Sequence, residues 1–279
     1  MTRVLKSLSE IASDYDAIIL DQWGVLHDGS AAYPGTAAAL KHLMARGTRL
    51  AVLSNSGKRA APNRARIAAM GFSSGLFDCV MTSGEALWRD IANGTIPERR
   101  FFPVERTKGD ARAWASDLAI DLTPDLNSAE AVLLMGLPDG TNLSDWQPLL
   151  EEAASRHLRI YCSNPDKASP RAGGHTVMSP GALADVYTAA GGDVVYYGKP
   201  FKPVFGSLAQ ALGTDRLLMV GDSLEHDIAG ADAAGWDSVL IQGGLYAADF
   251  STGDTDTTLA RLCAEKSAPF PTYRLEVLR

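Results

Sequence analysis

The run Ala17-Ile18-Ile19-Leu20, followed at once by Asp21-Gln22-Trp23-Gly24-Val25, carries the pattern on which the reading of the whole chain turns. Four consecutive apolar residues predict a short strand buried on both faces. The abrupt change to a carboxylate and then to a glycine-containing turn predicts that the strand stops in a polar loop. Outward from this stretch the same grammar repeats. Arg49 to Leu53 breaks at Ser54, and a run around Val80 stops at Ser83-Gly84. Val194 to Tyr197 ends at Gly198-Lys199, Leu217 to Val220 at Gly221-Asp222, and Ser238 to Ile241 at Gly243. Helical patterns follow the strands, which is the signature of an α/β fold. In an open parallel sheet ligands bind beyond the carboxyl ends of the strands, so these polar breaks are expected to converge although they lie far apart in the chain.

Between the two halves, roughly from Trp88 to Ala190, runs a second α/β pattern: Phe101 to Val104, a helix near Asp110 to Leu118, Ala131 to Met135, and Leu158 to Cys162. The sequence therefore predicts a discontinuous Rossmann-like core, residues 1–87 and 191–279, with residues 88–190 inserted as a cap. A single larger doubly wound sheet is the competing arrangement, because strand order is not written in local pattern.

At 279 residues the chain is long enough to bury such a core, and its 46% apolar and 21% charged content is that of a globular protein. A formal charge of -7 disfavours a nucleic-acid partner, which would need a basic face, whereas one lysine and one metal suffice for a small phosphorylated ligand. Cys79, Cys162 and Cys263 form no CxxC pair and read as buried thiols in a reducing compartment. With no sustained apolar leader and no membrane-length stretch, the expected location is the cytoplasm, away from membranes. A homo-oligomer is compatible with the sequence, which leaves assembly open.

Four of the breaks carry chemistry. Asp21 on the lip of a buried strand is placed to act as a nucleophile on phosphorus, or simply to cap the following turn. Ser54 and Asn55 offer a hydroxyl and backbone amides for phosphate oxygens, or form an ordinary turn. Lys199 near Asp21 would keep it ionised and offset phosphoryl charge; alone it would be a solvated loop lysine. Asp222 and Asp227, about one turn apart, suit magnesium, which takes oxygen ligands and usually only one or two carboxylates; helix capping is the plainer alternative for either. His42, His157 and His175 have no partners at metal-ligand spacing.

Taken in order, Asp21, Ser54, Lys199 and Gly221-Asp222-x-x-x-x-Asp227 resemble the four motifs of haloacid dehalogenase superfamily phosphatases over nearly the whole chain. Asp28-Gly29, Tyr33-Pro34-Gly35, Thr82-Ser83-Gly84-Glu85, Asn164-Pro165-Asp166 and Gly198-Lys199-Pro200 further resemble class IIA, whose members include sugar-phosphate, nucleotide and pyridoxal-phosphate phosphatases with an inserted α/β (C2-type) cap. The resemblance implies a three-layer core and a magnesium-dependent phosphatase acting on a small phosphorylated metabolite, a sugar phosphate among the options. It implies Asp21 as nucleophile and metal ligand, the Trp23 backbone carbonyl and Asp222 as further ligands, and Asp227 in support. Ser54 and the Asn55 amide would hold phosphate, Lys199 would neutralise charge, and Asn164 and Asp166 would face substrate from the cap.

The chain departs from the family at Trp23, where these phosphatases carry a second aspartate that protonates the leaving group. An indole N–H has no useful acidity, so general acid help worth about 100-fold to 10,000-fold is absent unless another group supplies it. Three outcomes follow: slow hydrolysis favouring acidic leaving groups, a substitute acid at His27 or Asp28, or a protein that binds a phosphometabolite without turnover. His27 also reads as an exposed turn histidine, and Trp23 as a surface for stacking a ring or as packing.

Overall fold

The computed structural model describes residues 2–170 and 176–279, and His175 lies outside them. The chain forms two compact units. One comprises the chain up to Ser54, Ala60–Met81 and Lys199–Arg279; the other comprises Asn55–Arg59 and Thr82–Gly198.

The first unit is organised by a seven-stranded sheet in the order Arg3–Val4, Tyr273–Leu275, Asp237–Ile241, Leu217–Gly221, Ala17–Leu20, Arg49–Ser54 and Cys79–Thr82. Pairing is parallel from Arg3–Val4 across to Arg49–Ser54. Parallel neighbours need a crossover, and helices such as Thr36–Ala45 and Ala229–Ala234 occupy the connections. Ala17–Leu20 is a central strand with all four side chains fully buried, which is why it reads as an unbroken apolar run. It packs in a core that includes Leu26, Leu40, Val52, Ile67, Val220 and Val239, each large side chain contributing about 1.5–3 kcal/mol by leaving water.

Register decides where the chemistry emerges. Leu20 stands opposite Val220 on one side and Val52 on the other, so Asp21, Asp222 and Ser54 all lie one or two residues beyond the same level of the sheet. The C-terminal piece, uninformative as sequence, supplies the strand Tyr273–Leu275, flanked on both sides, with Arg274 and Leu275 buried.

The second unit has its own five-stranded parallel sheet, in the order Val194–Tyr196, Arg159–Cys162, Ala131–Leu134, Arg100–Val104 and Asp121–Leu122, with an antiparallel pair Ala168–Pro170 and Thr176–Met178. Its core includes Val104, Val132, Leu134, Leu150, Ile160 and Tyr187. Val194–Tyr196, grouped by sequence with the C-terminal half, pairs with Arg159–Cys162, because sheet membership is a long-range property that strand pattern does not encode. The competing single sheet is not what the chain forms. Among the described residues no helix is long and apolar enough to cross a membrane.

Candidate active site

The first loop to leave the sheet begins at Asp21, whose backbone N–H still donates to Val220 in the neighbouring strand (2.9 Å). That bond fixes the residue at the strand end. Asp21, Asp222 and Asp227 each place a carboxylate oxygen within 4.8 Å of the others. Lys199, almost wholly buried, donates to Asp21 Oδ1 (2.6 Å) and to Asp227 Oδ1 (2.7 Å). Buried charges survive only when paired, and removing one partner of such a pair typically costs about 3–5 kcal/mol. Lys199 is therefore built into the site and is no solvated loop residue.

The geometry of the two later acids comes from the turn between them. Ser223 caps a widened helical turn, Leu224–Ile228, in which the Ile228 N–H reaches back to Ser223 O (3.1 Å), a π rather than an α spacing. Such single turns recur at functional sites. Here the turn brings Asp227 Oδ2 within 3.0 Å of the Ser223 N–H, so that both Asp227 oxygens are engaged, one by Ser223 and one by Lys199. Asp222 is held differently. Its Oδ2 accepts from the Leu245 N–H (2.8 Å), a contact sequence reasoning missed although the break at Gly243 after Ser238 to Ile241 marked the loop.

Gly24 is required beneath this cluster. It adopts φ +76°, and a Cβ there would overlap Asp222 Oδ2. Replacing it with alanine adds strain of about 1–3 kcal/mol and displaces the carboxylate. Gly24→Ala is therefore expected to lower the unfolding free energy by that amount, shifting the urea midpoint down, and to weaken divalent-cation binding, both readable in urea titrations with and without magnesium; an unchanged midpoint would contradict the close packing.

Electrostatics follow from the crowding. Burial, with Asp227 adding to it against the opposing pull of Lys199, pushes the Asp21 carboxyl up to about 7. Burial, then Asp21 and Asp227, push Asp222 up to about 8. Burial alone would pull Lys199 down, but Asp21 and Asp227 outweigh it and hold the ammonium above its ordinary value. Asp21 and Asp222, two hard oxygen donors raised by this crowding, are suited to a divalent cation, which relieves the repulsion within the cluster.

Trp23 departs from what an acid would do. Its half-exposed indole lies on Gly29, where a Cβ would overlap the ring, and meets His27 edge-on at 5.9 Å between centroids. His27 is not an exposed turn histidine: it is fully buried, and its Nδ1 accepts from the Gly29 N–H (3.0 Å). Burial and then the charge of Arg66 push it down to about 4, so the ring is neutral at pH 7 and offers no imidazolium as acid. Asp28 is exposed, and one carboxylate oxygen accepts from the N–H groups of Ser30 and Ala31, which hold it well below the usual carboxylate range. Both proposed substitutes are thus occupied in shaping the loop.

Ser54 ends its strand, partly exposed, and Asn55 follows it as the first residue of the second unit. In that unit Asn55 Nδ2 donates to Asp166 Oδ1 (2.8 Å), and the Asp166 N–H donates to Asn164 Oδ1 (3.0 Å). The structure thus gathers Asp21, Lys199, Asp222 and Asp227 in one cluster, and Asn55, Asn164 and Asp166 in another.

A haloacid dehalogenase-like hydrolase model matches residues 18–107, which carry Asp21, Ser54 and Asn55, and a HAD-hydrolase-like model matches residues 196–261, which carry Lys199, Asp222 and Asp227. Chronophin of Bos taurus is 28% identical over 256 residues, covering 86% of this chain and 85% of its own. D-glycerol 3-phosphate phosphatase of Mycobacterium tuberculosis is 28% identical over 247 residues, covering 86% of this chain and 67% of its own. The crystal structure of a haloacid dehalogenase-like family hydrolase from Brucella suis 1330 superposes with a TM-score of 0.80 at 28% identity, covering 99% of this chain and all of that one. With the Asp21 loop, the lysine and the paired acids each inside a matched segment and clustered at one sheet edge, the chain belongs to the haloacid dehalogenase-like hydrolases, of the class IIA type.

Proposed function

We propose that this protein is a magnesium-dependent phosphatase that hydrolyses a small phosphorylated metabolite through an aspartyl phosphate at Asp21. It is a phosphoric monoester hydrolase of the haloacid dehalogenase type, and the second unit serves as its cap. The observation that carries the reading is the cluster of Asp21, Asp222 and Asp227 with Lys199 bridging two of them. The named activity of the Mycobacterium tuberculosis relative supports phosphoesters of small polyols as the first substrates to try.

In this mechanism an Asp21 oxygen forms a bond to phosphorus as the bond from phosphorus to the ester oxygen breaks, and water then cleaves the acyl phosphate to regenerate the carboxylate. Lys199 pulls Asp21 toward its ionised form against the effect of burial and offsets charge on the phosphoryl oxygens, which Ser54 and the Asn55 amide hold. Asp21, Asp222 and the Trp23 carbonyl would ligate the metal with Asp227 behind them; when bound, magnesium neutralises phosphoryl charge. Because Trp23 delivers no proton, the leaving group departs with little acid assistance.

Trp23 also favours a second reading, a protein that binds a phosphometabolite and does not turn it over. A panel of glycerol phosphates, sugar phosphates and p-nitrophenyl phosphate, assayed with magnesium and with chelator, separates the two. Metal-dependent phosphate release is expected, whereas calorimetric binding without product would favour the sensor.

Metal removal has a signed pH signature. In the metal-free protein burial and mutual repulsion push Asp21 up to about 7 and Asp222 up to about 8, against about 4 in the unfolded chain. The folded state then holds extra protons, and the stability these groups contribute below about pH 4 is lost as pH rises through 7 to 8. Magnesium at a hundredfold excess over its Kd adds about 2.7 kcal/mol. The rise in thermal midpoint on adding magnesium is expected to be larger near pH 8 than near pH 5. Equal shifts at both values would mean that the carboxylates do not bind the ion.

A further inference from the structure

The carboxylate of Asp166 is already engaged. The resemblance would have it face substrate, yet Oδ1 accepts the Asn55 amide at 2.8 Å. The loop presenting it is rigidly built: Asn164 Oδ1 accepts from the Asp166 N–H at 3.0 Å, and the Asp166 carbonyl accepts from the Gly181 N–H at 3.1 Å, at the start of the helix Pro180–Ala189. On the far side stands Gly198. A Cβ there would overlap the Pro165 ring and lie 2.8 Å from Asn55 Oδ1. Asn55, the Asn164-Pro165-Asp166 loop and Gly198 are therefore packed together within the second unit.

Two of these residues are chain neighbours of the chemistry. Asn55 follows Ser54 directly, and Gly198 directly precedes Lys199, whose ammonium touches Asp21. A side chain that fixes Asn55 fixes the peptide that follows the phosphate-binding hydroxyl, and its amide donor with it. We infer that Asp166 is a positioning residue: through its hydrogen bond to the Asn55 side chain it orients the Ser54-Asn55 peptide that holds the substrate phosphate, and its carboxylate is not the group that contacts the rest of the substrate. The inference deepens the proposed phosphatase function and rests on it.

The two roles differ in their response to small changes. Asparagine at 166 keeps an oxygen that can accept the Asn55 amide but loses the charge, whereas alanine loses both. Two residues acting through one contact are non-additive, whereas independent substrate contacts add. The test uses the full chain and p-nitrophenyl phosphate with magnesium, comparing D166A, D166N, N55A and the double alanine variant for kcat and KM, with inorganic-phosphate affinity by calorimetry and the urea midpoint as controls.

We expect D166A, N55A and the double variant each to lose about tenfold in kcat/KM and in phosphate affinity, with D166N recovering most of the loss and the midpoints nearly unchanged. The inference is overturned if D166A matches wild type, or if D166N is as poor as D166A while the Asn55 and Asp166 losses multiply. A wild-type chain that neither releases nor binds phosphate would instead remove the phosphatase reading itself, and this role with it.

Discussion

Replacing Asp21 with asparagine is expected to reduce phosphate release by about 10⁴-fold to 10⁶-fold, the scale on which removal of a nucleophile acts. Asparagine is nearly isosteric and keeps an oxygen that can accept from the Lys199 ammonium, so the cluster should survive. What disappears is the nucleophilic carboxylate, and with it the route through an acyl phosphate. The measurement is a single-turnover assay with radiolabelled substrate and magnesium, in which wild-type protein quenched in acid retains label and Asp21→Asn does not. Residual release within tenfold of wild type would mean that water attacks phosphorus directly and that Asp21 is only a ligand.

Replacing Trp23 with aspartate is expected to act in the opposite direction, raising kcat by about 10²-fold to 10⁴-fold toward esters of ordinary alcohols, which depart poorly without a proton. The gain should shrink toward unity for p-nitrophenyl phosphate, whose leaving group needs no acid. The cost in stability is modest, because the indole lies half-exposed on Gly29 and is not part of the buried core. A uniform loss across both substrate classes would indicate that the indole itself holds substrate. No change in either class, with phosphate still bound, would favour the sensor.

Legibility in the sequence followed the range of the interactions. Ala17 to Leu20 and Leu217 to Val220 announced themselves because strands buried on both faces are locally apolar, and the residues that end them, Asp21 and Asp222, are conspicuous for the same reason. The order of the four loops carried the rest of the core cluster. Properties that depend on partners from elsewhere in the chain were hidden. Val194–Tyr196 looks like any other strand, and only pairing with Arg159–Cys162 assigns it to the second sheet. His27 sits in a polar turn between Leu26 and Asp28, where composition suggests exposure, yet the ring is buried with its Nδ1 taken by Gly29. Asp166 stands out in the sequence through its motif, but its engagement by Asn55, over a hundred residues earlier, leaves no local trace. Tyr273–Leu275 is short, and its place between Asp237–Ile241 and Arg3–Val4 depends on both ends of the chain.

The widened turn at Leu224–Ile228 makes the number of residues between Asp222 and Asp227 as consequential as their identities. A π turn is an α-helical turn with one residue inserted, and each residue advances a helix by about 100°. Deleting any one residue from Ser223 to His226 would let the segment relax to ordinary winding and swing Asp227 out from under Lys199, stranding a buried cation with half its counter-charge. Substitutions within this stretch are tolerable in principle, but a change of length is not, so any exchange of this loop between relatives has to conserve the residue count exchanged.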